Sequence, residues 1–280
     1  MTGFVSRAVS IIPDSRYAAQ KGRHMDLTVK NIEFGYRSKI VLHDVNMTAK
    51  AGEITAILGA NAVGKSTLLK CIMGILHAKG QIFVGEEKCR NLFAYKSADK
   101  VSYLTQENAV PALLTVFEVI LLGRMSSLSL RIPPEELERV YRVMKDVKIE
   151  PLAERMFRQL SGGQRRVVSI AQAIVKEPEI LIMDEPTANL DMQNQMEILD
   201  LVRRYTKERK TTTLVTLHDL NMAARYADRI VILKDGMVYC QGTPAETLTK
   251  EVVRQTYHVE SEVTYDRMGI PMVNPLYAVS

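Results

Sequence analysis

The chain has 280 residues, 46% of them hydrophobic and 25% charged, with a formal net charge of +5. This fits an ordinary globular protein whose core is large enough to need neither disulfides nor a structural metal. The mild positive charge suits an anionic ligand or an anionic membrane surface and does not single out nucleic acid. Cys71, Cys89 and Cys240 show no C-x-x-C spacing, so neither a zinc site nor a redox pair has support, and their odd number fits a reducing compartment. No apolar run approaches the roughly 20 residues of a membrane helix.

Residues 1–24 hold only "AVSII" as an apolar core, too short for a secretory signal. They read as a disordered leader or as sequence upstream of a start at Met25; an Arg-containing, acid-poor transit peptide is the other reading. From Met25 the pattern tightens. "MDLTVKNIEFGY" alternates as a strand does, and "IVLHDVNMTAKAGEITAIL" continues in β-type runs, with a turn at Ala51-Gly52 before a strand over Glu53–Leu58. The stretch "GANAVGKST" follows. Leu68, Leu69, Ile72, Met73, Ile75 and Leu76 then recur at helical spacing.

"GQIFVGEEK" reads as a hairpin and "KVSYLTQ" as a strand. From about 107 to 160 the character is helical. Thr115 and Glu118 form a T-x-x-E capping box, and Pro133-Pro134 opens a helix with Leu137, Val140, Tyr141, Met144 and Val147 on one face. Strands return in "EILIMDEP" and "TTTLVTLHD", followed by a helix through "LNMAARYAD". Asp235-Gly236 then marks a hairpin between two apolar runs. Past His258 the sequence is weakly patterned, and 258–280 reads as a tail.

Gly59-x-x-x-x-Gly64-Lys65-Ser66, between a strand and a helix, satisfies the P-loop pattern. Glycines let backbone N–H groups converge on phosphate oxygens, and the helix N-terminus adds a favourable dipole. Lys65 is expected to reach the terminal phosphates and Ser66 to ligate magnesium. "ILIMDEP" is an apolar strand ending in two carboxylates. Asp184 is placed to hold magnesium and Glu185 to orient or deprotonate an attacking water. In "LSGGQRR", Ser161 and Gln164 form a capping box. Gly162 and Gly163 are poor helix formers, each about 1 kcal/mol below alanine. They make sense where an anion must approach the helix N-terminus closely.

These three motifs in this order resemble the ATP-binding subunit of an ABC transporter, over roughly residues 26–257. The resemblance implies an α/β fold: a P-loop ATPase core with an antiparallel β subdomain and a helical subdomain insertion, spanning 25–257. It implies ATP and Mg2+ as cofactors and a head-to-tail dimer with a second copy. Ser161, Gly162, Gly163 and Gln164 then bind the γ-phosphate held by the partner's P-loop. Asn61, Ala62 and Thr67 belong to the phosphate loop, and Tyr36 matches the aromatic that stacks on adenine. Gln106 matches a loop glutamine that senses magnesium and γ-phosphate. Asp191 matches a loop crossing the dimer interface, and His218 a histidine that contacts the γ-phosphate. Catalysis falls to Lys65, Gln106, Glu185 and His218, mostly by placement and charge stabilisation.

Three positions depart from the family pattern. The family usually has Gly at 62; Ala62 carries a cost of about 1–2 kcal/mol if its φ is positive. It often has Pro at 60, where Ala60 is permissible. Ala188 stands where Ser is common. The short spacer between P-loop and signature has no heptads, the chain carries one cassette, and Glu185 and His218 are both present. These features argue against chromosome-type or translation-type ATPases and against a non-hydrolysing module.

A transporter subunit without a membrane segment must dock on a separate permease, at the cytoplasmic face of the membrane. The expected surface lies beside Gln106, where Val110, Leu113, Leu114 and Phe117 face the permease or fill the core. "LTVFEVILLGR", "HDLNMAARYADRIVILKDGMVYCQGTPAETLT" and "EVVRQTYHV" resemble the ATPases of importers for iron–siderophores, haem and cobalamin. Such importers also use an extracytoplasmic substrate-binding protein. Zinc, manganese and molybdate importers are the alternative. The ligand itself is chosen by the permease and the binding protein.

Overall fold

A computed structural model describes residues 25–37, 39–105, 113–124 and 132–279. In chain order the N-terminal part comprises β1 (Leu27–Tyr36), β2 (Lys39–Ala49), β3 (Ile54–Leu58), α1 (Lys65–Met73), β4 (Lys79–Val84), β5 (Glu87–Cys89) and β6 (Val101–Leu104). The helices α2 (Val116–Leu122), α3 (Pro134–Asp146) and α4 (Gly162–Ile174) follow. Next come β7 (Ile180–Met183), α5 (Met192–Arg209), β8 (Thr212–Thr216), α6 (Leu220–Tyr226), β9 (Arg229–Lys234) and β10 (Met237–Gly242). The chain closes with α7 (Pro244–Thr247), α8 (Lys250–Tyr257), β11 (Val259–Tyr265) and β12 (Pro271–Ala278).

Two sheets form the frame. A six-stranded sheet runs β10-β9-β3-β8-β7-β6, parallel except for β10, which turns back on β9. A four-stranded antiparallel sheet runs β2-β1-β4-β5. The parallel strands are apolar on both faces because both are covered, and their side chains alternate between two cores. Ile54, Ala56 and Leu58 of β3 face one core together with Leu181, Met183 and Val215; the helices α2 to α6 pack on it. Ile57, Ile180, Ile182 and Leu214 face the other core, between the two sheets and α1.

Local chemistry explains the element ends. Thr115 and Glu118 close a reciprocal capping box on α2, with Thr115 N–H donating to Glu118 Oε2 at 2.8 Å and Glu118 N–H to Thr115 Oγ1 at 3.3 Å. Asp235 and Gly236 both take positive φ, 50° and 75°, as the tight hairpin between β9 and β10 demands. On α3, Val140 and Met144 are fully buried, but Tyr141 is exposed and packs against Phe117 instead, ring centroids 4.8 Å apart.

The weakly patterned segment past His258 is ordered as a hairpin. β11 and β12 pair antiparallel from Val259↔Ala278 to Tyr265↔Pro271. Val273 is 4% exposed and belongs to the core under the helices. The turn is built by Asp266, whose carboxylate accepts from the Met268 and Ile270 N–H groups. Among the described residues, no helix is long and apolar enough to cross a membrane.

Candidate nucleotide site

The site assembles where three parallel strands end side by side. β3 delivers the glycine loop, β7 delivers Asp184 and Glu185, and β8 delivers Thr216 and, just beyond it, His218. Ligands bind at such carboxyl ends because the loops there diverge and leave a crevice. The loop bends through Gly59 (φ 143°), Ala62 (φ 61°) and Gly64 (φ 110°) before α1 begins at Lys65. Ala62 therefore does take the left-handed conformation that usually falls to glycine.

Lys65 folds back under the loop. Its Nζ donates to the carbonyls of Gly59 at 2.8 Å and Ala60 at 3.1 Å, and the residue is 5% exposed. Burial lowers its pKa, with Glu185 and Asp184 acting in the opposite direction. Ser66 Oγ donates to Asp184 Oδ1 at 3.0 Å, and Thr216 Oγ1 donates to the same oxygen at 2.7 Å. Thr216 Oγ1 in turn accepts from Glu185 N–H at 2.8 Å. Glu185 sits at φ 48°, a strained value for a carboxylate residue. Its Oε1 lies 2.5 Å from His218 Nε2. The open cleft above is lined by Gly59, Ala60, Asn61, Ala62, Glu185, His218 and Tyr257.

The residues fit a magnesium ion bound with a phosphate. Ser66 and Asp184 present hard oxygens to one point, and magnesium takes few protein ligands and keeps waters and phosphate oxygens. Among the described residues no cluster of three His, Cys, Asp or Glu side chains forms a protein-only cage, which such a shared ion does not need. Thr67 follows Ser66 in the first turn of α1.

Tyr36, Ser161, Gly162, Gly163, Gln164 and Asp191 do not line the cleft. Tyr36 is 49% exposed at the end of β1, edge-on to Phe34 with centroids 4.9 Å apart. Ser161 caps α4 in a reciprocal box with Gln164, its N–H donating to Gln164 Oε1 at 3.1 Å and its Oγ accepting from Gln164 N–H at 3.2 Å. Gly162 and Gly163 differ. A Cβ on Gly162 would meet nothing within 4 Å, whereas one on Gly163 would lie 2.8 Å from Asn194 Oδ1. Only Gly162 is free of a packing reason within its own chain. Asp191 is the N-cap of α5, accepting from Asn194 N–H at 2.9 Å. Gln106 and Val110 fall outside the described residues.

Two residues of the site escaped the sequence reading. Arg166 reaches from α4 to four backbone carbonyls, donating to Thr105 at 3.0 Å, Asp184 at 3.1 Å, Glu185 at 2.8 Å and Pro186 at 2.8 Å. Burial brings its pKa down to about 10, against the pull of Asp184 and Glu185. The available signal was an arginine four residues before Ile170, on the helix face that Gly163 and Ile170 bury. Tyr257, the last residue of α8, accepts the Gly59 N–H at 2.9 Å and carried no sequence signal for that role.

A glycine loop, a lysine beneath it and a serine–aspartate pair at parallel strand ends define a P-loop nucleoside triphosphatase. A family model for the ABC transporter domain matches residues 42–188. An uncharacterised ABC transporter ATP-binding protein of Methanocaldococcus jannaschii is 39% identical over 253 residues, covering 90% of this chain and 98% of that one. A probable siderophore transport system ATP-binding protein of Bacillus subtilis is 33% identical, covering 89% and 92%, and a hemin import ATP-binding protein of Vibrio cholerae is 34% identical, covering 86% and 94%. Among solved structures, an inward-facing metal-chelate type ABC transporter matches with a TM-score of 0.79 at 26% identity, covering 91% of this chain and 98% of that one. The chain belongs to the ABC transporter family and is one of its ATP-binding cassette ATPases.

Proposed function

We propose that this ATPase is the motor subunit energising import of an iron chelate (a siderophore), haem or cobalamin through a separate membrane permease. The observation that carries the proposal is that Lys65 is bonded under the Gly59 loop and Ser66 to Asp184, beside a cleft lined by that loop, Glu185 and His218. The siderophore and hemin import names of the relatives support the ligand class. In this reading Lys65 exchanges the loop carbonyls for the β- and γ-phosphates, and Ser66 and Asp184 hold magnesium. Glu185 and His218 place the attacking water against the γ-phosphate, and Asn61, Ala62, Gly64 and Thr67 supply loop contacts. Gln106 senses the same phosphate and metal.

The signature residues Ser161, Gly162, Gly163 and Gln164 and the capping Asp191 are exposed or half-exposed and away from the cleft lining, except the buried Gly163. That arrangement supports their use by a second copy. Two ATP molecules are then held between two head-to-tail protomers, with Tyr36 on adenine. ATP binding closes the dimer and drives the permease, and hydrolysis resets it. The permease docks beside Leu113, Leu114 and Phe117 at the cytoplasmic face, and an extracytoplasmic binding protein delivers the ligand.

Glu185→Gln tests the motor. With MgATP it is expected to bind nucleotide, lose hydrolysis and double its mass by light scattering; a strictly monomeric variant counts against the sandwich. The ligand class is tested by measuring uptake of labelled ferric siderophore, haem and cobalamin in cells lacking the chain. Loss of free zinc or manganese uptake alone overturns the chelate assignment.

A further inference from the structure

Gly59 is the root of the phosphate loop and is held on three sides. A Cβ there would lie 2.4 Å from the Leu233 carbonyl oxygen, so the end of β9 presses directly on its backbone. Its carbonyl accepts from Lys65 Nζ at 2.8 Å, and its N–H donates to Tyr257 Oη at 2.9 Å. These two polar ties are unequal. The Lys65 ammonium is the group that must leave for the phosphates when nucleotide arrives. The phenol of Tyr257 is neutral and has no such duty.

Tyr257 is itself well anchored. His258 ends α8 in the left-handed conformation at φ 54°, and its carbonyl accepts from Val279 N–H at 2.7 Å, beyond the end of β12. Glu260 of β11 ties back to Lys250 and Arg254 of α8 at 3.8 and 3.4 Å. The Asn221 side chain pairs with both backbone groups of Val273, at 2.8 and 3.2 Å, and so joins the hairpin to α6. α6 starts two residues after His218. The hairpin therefore braces together the helix that follows His218 and the helix that ends at Tyr257, and both side chains line the same cleft. Burial pushes the Tyr257 phenol up to about 12, so it stays neutral at any working pH.

We infer that Tyr257 is a positioning residue for the nucleotide: it pins Gly59 and so keeps the phosphate loop in its binding shape while Lys65 changes partners. The inference rests on the ATPase reading of the site. It predicts an effect on nucleotide affinity larger than any effect on the chemical step, because Tyr257 acts on the loop and not on Glu185.

Tyr257→Phe removes one oxygen and leaves the ring. The KM for MgATP, and the Kd of a non-hydrolysable ATP analogue, are expected to rise about five- to tenfold, as loss of one hydrogen bond to a buried N–H implies, with a smaller fall in kcat. Equal KM and Kd in variant and wild type overturn the inference and leave the ATPase reading standing. Wild type that binds no MgATP overturns both. A second measurement covers a variant that does not fold. Hydrogen exchange at the Gly59 amide of the wild type, with and without MgATP, is expected to show that amide protected in both states. Faster exchange of the Gly59 amide on adding MgATP overturns the inference.

Discussion

Ala62 and Glu185 both hold φ near +50 to +60°, at 61° and 48°, where a Cβ costs about 1–2 kcal/mol. They do so for different reasons. Ala62 is bent by the need of the loop to wrap an anion, and nothing in the structure makes alanine better there than glycine. Ala62→Gly relieves the strain but frees the unfolded backbone, a cost of about 0.4–1 kcal/mol. The net expectation is a gain of about 0 to 1.6 kcal/mol in urea unfolding, where an ordinary Ala→Gly change loses stability. Ala62→Val is expected to lose stability and ATP affinity together, because a branched side chain fits the left-handed region worst. Glu185 is held by Thr216 and Arg166, which bond its N–H and carbonyl. The family resemblance marked Ala62 in advance, because the family usually has Gly there and a positive φ carries a cost for alanine. The Glu185 strain was not legible, because "MDEP" states which side chains end the strand and not the backbone angle at which they leave it.

At the scale of elements, the signature helix α4 carries two jobs at once. Its exposed N-terminus is proposed to serve the partner's nucleotide, while Arg166, one turn further, clamps the carbonyls of this chain's own Asp184, Glu185 and Pro186. Gly162→Ala separates the first job from packing. Its Cβ meets nothing in its own chain, and alanine is the better helix former by up to about 1 kcal/mol. Stability is expected to hold or rise and monomer ATP binding to be unchanged, while hydrolysis falls at least tenfold; unchanged hydrolysis removes Gly162 from the partner contact. Gly163→Ala tests less, because it pushes on Asn194 as well. Arg166→Lys probes the second job. A single ammonium cannot reach four carbonyls spread over two segments, so buried acceptors go unpaired at about 1–3 kcal/mol. A tenfold or larger loss of kcat with a near-wild-type Kd for ATP is expected; an equal loss in both makes Arg166 a packing residue only. Caps were legible because they are local: T-x-x-E and S-x-x-Q need only four residues to declare themselves. The Arg166 clamp spans 61 positions to Thr105, and no window of sequence holds both ends.

For the whole molecule, the parallel sheet was legible because strands covered on both faces must be nearly pure aliphatic runs, as "ILIM" and "ITAIL" are. The C-terminal hairpin was not. β12 shows only Pro271 and Val273 as buried positions, its remaining residues are exposed, and Pro271 and Pro275 weaken any strand reading. A two-stranded ribbon is marginal alone, so its order must come from elsewhere. Val273 in the main core and the Asn221 pair supply it. If the ribbon is part of the cooperative unit, damaging that pair destabilises the whole chain. Asn221→Leu keeps the size but strips two part-buried hydrogen bonds from the Val273 backbone, an expected cost of about 0.5–1.5 kcal/mol. Hydrogen exchange then discriminates. Protection in β11 and β12 is expected to fall in step with β3 and β8, and urea unfolding to remain a single transition. Early loss of protection in the hairpin alone makes it a separately melting appendage. In that event the Gly59–Tyr257 tie persists only as long as α8 holds its own C-terminus, and the ATP affinity of the Asn221 variant falls with temperature well before the core unfolds.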